Sequence, residues 1–256
     1  ILKKQCQGGC ACFAHSSRRF RQTQLCQSSL CLSFANTIED SVIIVHAPIG
    51  CGGMNMHTRE LFPENNPLIR YPRTINTNLS EADVISGGEE KLRQAVLWAA
   101  EKFQPTHIIV IATCTPTLMG DDIDGILTSL QGQVSAHLIP IYCAGFKSKI
   151  IASFYDAMYH GLIRTFLQTP KNPSYTGYTA DGRPIVNLFR MSSASDADLA
   201  EMKRLLYKLG LEVRILAYGA NSQDFQEMTN AVLNISMCAT HDDYMLTFLK
   251  ENFQIP

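Results

Sequence analysis

The stretch Val42-Ile43-Ile44-Val45-His46-Ala47-Pro48-Ile49-Gly50-Cys51-Gly52-Gly53 decides the fold, because it joins an apolar run directly to a glycine-rich turn. The apolar run predicts a buried strand at 42–46. Glycine permits the positive φ angles and the close backbone approach that such a turn needs. The turn therefore places the Cys51 thiol at a strand end, where it is either an inert buried cysteine or a ligand for a soft iron–sulfur centre.

Strands and helices alternate along the rest of the chain, and this alternation predicts parallel sheets with right-handed crossovers. Further strands are expected near 69–76 and at 107–113, 138–143, 185–189, 211–217 and 232–237. Helices are expected at 89–103, from 118–123 onward, at 147–168, 196–209 and 222–231, and finally up to about residue 253. The predicted fold class is α/β, with tandem doubly wound, Rossmann-like parallel-sheet domains.

A segment rich in Pro, Gly and polar residues at 169–183 divides the chain and is interpreted as a linker. We place an irregular N-terminal arm at 1–25, a first Rossmann-like domain at 26–168 and a partial second domain at 184–256. The second domain contains only three of the predicted strands, so it is expected to be incomplete.

Nine cysteines are present, and several of them follow predicted strands. An odd number in a chain of this size does not indicate a disulfide framework. Ligands of open parallel sheets bind outside the carboxyl ends of the strands. Four cysteines fall at such ends: Cys51, Cys114, Cys143 and Cys238. This coincidence favours metal or cluster ligation in a reducing cytoplasm over ordinary buried thiols or disulfides.

Composition excludes several other classes of function. Hydrophobic residues make up 46% and charged residues 18% of the chain, which is typical of a globular protein. A formal charge of −1 gives no basic surface for nucleic acid, so we expect none as a partner. No apolar run approaches the roughly 18 residues of a membrane span, so we expect no membrane association.

Four motifs, in order along the chain, resemble the nitrogenase component 1 family. His46-Ala47-Pro48-Ile49-Gly50-Cys51 resembles the family's His-Gly-Pro-x-Gly-Cys, with alanine in place of the first glycine. The segment 78–89 is similar to its Asp-Leu-x-Glu-x-Asp-x-x-x-Gly-Gly pattern. Cys114 followed by Leu118-Met119-Gly120-Asp121-Asp122 resembles its Cys-x-x-x-(Leu/Ile)-Ile-Gly-Asp-Asp run, and 234–238 resembles the segment with the cofactor cysteine.

The resemblance implies two iron–sulfur sites. Cys26, Cys51 and Cys114 match the thiolates of a P-cluster-type relay cluster at the interface with a β-type subunit, and Cys31 competes with Cys26. Cys238 matches the ligand of a larger cofactor, which is FeMo-cofactor-like or iron-only. The implied assembly is an α2β2 heterotetramer that receives electrons from a transient ATP-dependent iron–sulfur reductase of the Fe-protein type.

Three further positions match residues around that cofactor. Arg59 matches an arginine that lines the cavity, although a surface arginine that caps a helix is an equal alternative. Dinitrogen-reducing members present a glutamine and a histidine where this chain has Ile151 and Tyr155. Isoleucine cannot move a proton, and tyrosine has a far higher pKa than histidine. We therefore expect a small substrate other than dinitrogen.

Two functions fit the resemblance. The first is the catalytic α-type subunit of a nitrogenase-like reductase, and the methylthio-alkane reductases, which cleave C–S bonds, are the relatives that we name. The second is a non-catalytic scaffold for nitrogenase cofactor assembly. A dinucleotide- or sugar-phosphate-binding protein on the same fold is a weaker third alternative, because no G-x-G-x-x-G motif follows any predicted strand.

Overall fold

The structure is a computed structural model that describes residues 26–38, 40–53, 74–147, 152–167, 174–191, 194–238 and 241–256. In chain order its elements are α1 (Gln27–Ala35), β1 (Ser41–His46), β2 (Thr74–Asn76), α2 (Glu81–Ser86), α3 (Glu89–Phe103), β3 (His107–Ala112), α4 (Cys114–Met119), α5 (Ile123–Gln131), β4 (His137–Tyr142), α6 (Ala152–Phe166), β5 (Ile185–Arg190), α7 (Asp196–Lys208), β6 (Glu212–Ala217), α8 (Ser222–Gln226), β7 (Leu233–Ser236) and α9 (Asp243–Phe253).

The first sheet is parallel and has the strand order β2-β1-β3-β4. Every residue of β1 and β3 is buried, because helices cover both faces of these two central strands. Continuous apolar runs such as Val42–Val45 are what a parallel sheet buried on both faces requires. The predicted strands at 42–46, 107–113 and 138–143 are therefore confirmed.

The second sheet is also parallel and has the order β6-β5-β7. Its three strands confirm the predictions at 185–189, 211–217 and 232–237 to within two residues. In both sheets the chain adds one strand on one side of the first strand and then crosses to its other side. The α/β fold with two parallel, Rossmann-like sheets is thus confirmed.

Helix α3 begins and ends where the apolar periodicity predicts, at Glu89 and Phe103, and buries Leu92, Val96 and Ala99. The helix expected from 118–123 onward begins only at the last of these residues, Ile123. Leu118 and Met119 instead end α4, because Gly120 takes a left-handed conformation with φ of 82°. Asp122 then caps α5 by accepting a hydrogen bond from the backbone N–H of Gly125.

Two other helices differ from expectation. Helix α8 ends at Gln226, well before the predicted end at 231. Helix α1 was not predicted at all, although all of its residues except Leu30 are buried. Polar side chains are scattered around it, so the sequence shows no apolar stripe. These side chains find partners inside the protein; for example, the Ser28 hydroxyl donates to the Cys143 carbonyl at 2.8 Å.

The hydrophobic core joins the two sheets through the helices between them. One cluster of buried residues contains Phe34 of α1, Tyr159 of α6, Phe189 of β5 and Met245 of α9. A second cluster packs α3 and α5 on the opposite face of the first sheet. The division of the chain at the predicted linker 169–183 stays a prediction, and the predicted arm at 1–25 lies outside the described residues.

A glycine in α6 marks the tightest contact of this helix with the first sheet. A Cβ at Gly161 would collide with the Ile141 side chain and would lie 2.8 Å from the Pro140 carbonyl oxygen. We expect Gly161→Ala to destabilise the protein by about 1–3 kcal/mol, as overpacking against backbone does. Gly132→Ala is the matched control, because that position has open space and a φ of −82°. Urea denaturation should show a lower midpoint for the first variant only, and equal midpoints would contradict the packing.

Within the part of the chain that the structure describes, no helix is both long enough and apolar enough to cross a membrane.

Candidate functional site

The cysteines lie where the topology of each sheet opens a crevice. In the first sheet this point is the gap between β1 and β3, because the chain leaves these neighbouring strands in opposite directions. Cys51 lies in the helical turn at 49–53 that follows β1, and Cys114 is the first residue of α4 after β3. In the second sheet the equivalent gap separates β5 from β7, and Cys238 lies two residues beyond β7. Each crevice therefore receives cysteine from this chain.

Gly145 brings Cys26 and Cys114 to the same place. Its backbone N–H donates a hydrogen bond to the Cys114 Sγ at 3.0 Å. A Cβ on Gly145 would lie 3.1 Å from the Cys26 Sγ and 3.4 Å from the Cys114 Sγ. A side chain at this position would crowd both sulfur atoms, so glycine suits the close approach of the backbone. An amide N–H that points at sulfur stabilises a thiolate, which is the form that binds metal.

Cys51 belongs to the same group of thiols. Burial raises its pKa, and the nearby thiols of Cys26 and Cys114 raise it further, while a hydrogen bond with Thr113 acts in the opposite direction. Such repulsion weakens with distance, and the buried Cys143 thiol makes a smaller contribution of the same sign. Cys26, Cys51 and Cys114, all partly exposed, therefore form one cluster of thiols at the first crevice, which we call the three-thiol site.

A buried histidine, His46, connects the end of β1, which precedes Cys51, with the turn after α4, the helix that begins at Cys114. His46 Nε2 lies 3.1 Å from Asp121 Oδ2, and its Nδ1 lies 3.0 Å from the Thr77 hydroxyl. Because a carboxylate only accepts, Nε2 carries the proton and Nδ1 accepts from Thr77. Burial lowers the pKa of His46 despite its contact with Asp121. Asp121 also accepts a hydrogen bond from the Gly88 N–H at 3.2 Å. Three motifs that are distant in the sequence, those of His46, Gly88 and Asp121, therefore meet at the Asp121 carboxylate.

Two neighbouring cysteines, Cys31 and Cys143, differ from the three-thiol site in being completely buried. The Cys31 thiol is buried and donates to the Phe154 carbonyl at 3.6 Å. The Cys143 thiol is also buried and lies 3.7 Å from the Ala112 carbonyl. This geometry favours Cys26 over Cys31 as the first ligand of the site. The assignment of Cys26, Cys51 and Cys114 as metal ligands stays a prediction.

The surroundings of Cys238 are polar and aromatic. The Cys238 N–H donates to the Ser236 hydroxyl oxygen at 3.1 Å. The ring of Tyr155, on α6, stacks on His241 with centroids 4.4 Å apart, which brings α6 next to the segment after Cys238. The hydroxyl of Tyr155 accepts a hydrogen bond from Tyr218 at 3.2 Å. Tyr155 thus contacts the segment that follows Cys238, and the roles assigned to Tyr155 and Cys238 stay predictions.

The other two predicted cofactor-lining residues, Arg59 and Ile151, lie outside the described residues.

The donor chemistry fits iron–sulfur clusters better than single ions. Among the described residues, no three His, Cys, Asp or Glu side chains converge closely enough to hold one metal ion. Terminal thiolates of a cluster bind different iron atoms, so they need not converge on one point. The three-thiol site supplies separated sulfur ligands, an amide donor and partial burial. These residues fit a cluster.

Sequence reasoning missed three parts of the site. It did not identify α1 as the element that carries Cys26 at its N-cap, because that helix has no periodicity. It gave Gly145 no role, although a glycine two residues after a strand-end cysteine is a signal for close backbone approach. It quoted His46 and Asp121 only as parts of motifs and did not pair them, because they are far apart in sequence.

The raised pKa of Cys51 predicts how the metal-free chain reacts with iodoacetamide. Because the thiolate is the reactive form, the half-maximal rate at Cys51 should occur above the pH of about 8.5 that a free thiol shows. Cys26→Ala should shift this midpoint to lower pH, since it removes one repulsive neighbour. Mass spectrometry of alkylated peptides across a pH series measures both values. A midpoint below 8.5, or an upward shift in the variant, would contradict the geometry.

Comparison with known proteins identifies one family. The sequence model of the family described as nitrogenase component 1 type oxidoreductase matches residues 26–256. The nitrogenase molybdenum-iron protein alpha chain of Methanothermobacter thermautotrophicus is 27% identical over 232 residues, covering 86% of this chain and 48% of that protein. The nitrogenase iron-molybdenum cofactor biosynthesis protein NifE of a Nostoc species is 29% identical over 223 residues, covering 86% of this chain and 44% of that protein.

Solved structures agree with the fold. The structure titled nitrogenase Cp1 at pH 5 has a TM-score of 0.72 and 24% identity, covering 90% of this chain and 46% of that one. The structure titled nitrogenase Cp1 at pH 6.5 has a TM-score of 0.70 and 25% identity, covering 88% of this chain and 43% of that one. The chain spans about half the length of the curated relatives that it matches.

Proposed function

The chain belongs to the nitrogenase component 1 family, and on this premise we propose that it is the α-type subunit of a nitrogenase-like two-component reductase. It relays electrons from an ATP-dependent reductase to a complex iron–sulfur cofactor, where a small substrate other than dinitrogen is reduced. The substrate we name is a methylthio-alkane, whose C–S bond is cleaved. The observation that carries the proposal is the separation of the cysteines into two crevices: the three-thiol site in one and Cys238 in the other.

In this proposal Cys26, Cys51 and Cys114 hold a P-cluster-type cluster, which supplies one-electron transfer when it is bound. The chain's own residues set the environment of the sulfur atoms. The Gly145 N–H donates to the Cys114 sulfur, and partial burial limits access of water. Hydrogen bonds to sulfur and burial are two of the means by which a protein tunes a cluster's reduction potential.

Cys238 is the proposed ligand of the second, FeMo-cofactor-like or iron-only group, with Arg59 and Ile151 proposed as lining residues. Tyr155 occupies the position where dinitrogen-reducing members carry a histidine. Its ring is buried and packs against Phe154 with centroids 4.0 Å apart, so this wall of the site is aromatic. An apolar thioether is compatible with such a wall, and tyrosine is a much weaker proton donor than a protonated histidine at neutral pH.

Exposed apolar side chains around the three-thiol site support the proposed partners. Ile49 and Phe146, which flank the site, are 66% and 54% exposed and suit the interface with a β-type subunit in an α2β2 heterotetramer. On the adjacent helices α2 and α4, Ile85 is 88% and Leu118 is 74% exposed. Exposed apolar side chains that are grouped on neighbouring elements mark interaction sites. We assign this second patch to the transient Fe-protein-type reductase. Both clusters require a reducing compartment, which is the cytoplasm.

The proposed docking patch predicts the effect of a charged substitution. Ile85→Glu should weaken binding of the reductase by about tenfold, because it places a carboxylate in an apolar contact. Leu209→Glu is the matched control, since Leu209 is 74% exposed at the end of α7 and lies outside the patch. Titrating the reductase at fixed protein concentration should show a higher half-saturating concentration for Ile85→Glu alone. Equal values for both variants would remove the patch from the docking surface.

A second candidate, the non-catalytic assembly scaffold, is favoured by one observation. The similarity to NifE, at 29% identity, is at least as high as that to the molybdenum-iron alpha chain, at 27%. A scaffold would hold the same clusters without turning over a substrate. Function depends on the site and not on the fold, so the fold alone does not separate the two.

An activity assay separates these candidates. The chain is purified without oxygen together with the proposed β-type subunit, and mixed with the reductase, ATP and a methylthio-alkane. The catalytic proposal expects a hydrocarbon product whose formation stops when ATP is omitted. A complex that contains iron and receives electrons but forms no hydrocarbon would contradict the catalytic proposal and support the scaffold.

A further inference from the structure

Asp242 stands at the N-cap of α9 but does not cap it. Aspartate is among the preferred N-cap residues, because its side chain accepts the free N–H groups of the first turn. Here the carboxylate makes no capping hydrogen bond to its own helix. Its Oδ1 instead accepts from the Tyr159 hydroxyl at 2.5 Å, and its Oδ2 from the Ser236 hydroxyl at 2.5 Å. The Asp242 carboxylate therefore forms hydrogen bonds with side chains of α6 and β7 in place of a capping hydrogen bond within α9.

Ser236 extends this connection to Cys238. Its hydroxyl oxygen accepts the Cys238 N–H at 3.1 Å and lies 2.6 Å from the Cys238 carbonyl oxygen. The hydroxyl has a single proton, and an ionised carboxylate is the stronger acceptor, so the proton points to Asp242. The hydrogen bonds therefore run in one direction, from the Cys238 backbone through Ser236 to Asp242, and such chains strengthen one another.

The other end of the connection is rigid. Tyr159 is fully buried on α6, and its ring packs edge-on against Phe34 and Phe189. Burial, followed by the charge of Asp242, raises the pKa of Tyr159 well above its usual value, so the hydroxyl stays protonated and donates. Asp242 itself is only 3% exposed. A buried carboxylate is stable only when it is hydrogen-bonded, and these two hydroxyls provide that.

From these contacts we infer that Asp242 is a positioning residue, which fastens the turn that carries Cys238 to helix α6 through Ser236 and Tyr159. The inference rests on the proposed function, in which Cys238 is the cofactor ligand. A ligand thiol must be held in place if it is to bind a large group in one orientation. The same helix carries Tyr155, so the anchor also fixes the distance between Cys238 and the residue proposed to face the substrate.

The test measures how fast iodoacetamide alkylates each cysteine of the purified, metal-free full chain. Tyr159→Phe removes one hydroxyl and keeps the packed ring, whereas Asp242→Ala removes the whole anchor. Both should accelerate alkylation of Cys238 relative to Cys51 in the same sample, by about tenfold for Asp242→Ala. Asp242→Asn keeps an acceptor for Tyr159 and should restore part of the protection.

A double variant tests whether Tyr159 and Ser236 act through the same carboxylate. If Tyr159 and Ser236 act through one carboxylate, Tyr159→Phe and Ser236→Ala together should accelerate Cys238 by less than the product of their separate effects. Asp198→Asn is the control for general loosening, because Asp198 closes the capping box of α7 far from this turn in the chain. It should lower thermal stability without changing the ratio of the Cys238 and Cys51 rates.

An unchanged rate ratio in Tyr159→Phe and Asp242→Ala would overturn the inference, and so would an equal acceleration of every thiol. If Asp242→Ala does not fold, Tyr159→Phe decides alone. The readout needs no bound metal. A chain that proves unable to bind iron would therefore refute the proposed function, while the alkylation rates would still report on the anchor.

Discussion

Replacing Cys51 by alanine is expected to remove the cluster at the three-thiol site and to lower substrate reduction by at least about 100-fold. Loss of an outer-shell partner of a metal ligand already costs about 10- to 100-fold, and Cys51 is proposed as a ligand itself. The protein should still fold, because the side chain is only partly buried and alanine leaves a small gap. Iron analysis and electron paramagnetic resonance of the anaerobic complex measure the loss.

Cys31→Ser is the matched control for this variant. Cys31 is the other cysteine considered for the relay cluster, but its thiol is buried and directed at the Phe154 carbonyl. Serine can donate the same hydrogen bond, so iron content and activity should stay close to those of the unmodified chain. Loss of iron in Cys31→Ser, with retention in Cys51→Ala, would reverse the ligand assignment.

Replacing Cys238 by alanine should abolish substrate reduction while leaving the relay cluster in place. The hydrogen bond from Cys238 to Ser236 uses the backbone N–H of Cys238, so the substitution removes the proposed ligand atom without removing this contact. The iron content should fall by the amount held at the second crevice, and the spectrum of the relay cluster should persist. Cys51→Ala and Cys238→Ala are therefore expected to remove different signals.

Cys143→Ser serves as the control for Cys238→Ala, because Cys143 also follows a strand but is completely buried. It should retain both signals. If Cys238→Ala kept full activity, or if it lost the relay signal as well, the two-crevice arrangement of the clusters would be wrong.

The fold follows from the sequence because its central strands are buried on both faces. Val42–Val45 and His107–Ala112 read as continuous apolar runs, and the helix between them keeps its apolar spacing from Glu89 to Phe103. Helix α1 could not be recognised in this way, because a helix that is buried on nearly all sides and rich in serine shows no apolar stripe. The exact start of α5 could not be read from the sequence, because the acidic pair after Gly120 resembles the first turn of a helix. In the structure Asp122 is instead the N-cap residue of α5.

The site is less accessible to sequence reasoning, because its contacts join distant segments. Strand-end cysteines can be recognised along the chain, since parallel strands bring their carboxyl ends together. The meeting of Gly145 with Cys26 and Cys114 depends on how α1 packs, and the pairing of His46 with Asp121 depends on the register of β1 and β3. Asp242 reads as an ordinary helix cap in the sequence, and only the structure shows its carboxylate turned toward Tyr159.

Counting iron and acid-labile sulfide tests the central claim most directly. The chain is isolated without oxygen together with its β-type partner, and both elements are measured per chain. The account predicts several iron atoms with a comparable amount of sulfide, part of which is lost in Cys51→Ala and another part in Cys238→Ala. Near-zero iron in the unmodified complex would contradict it.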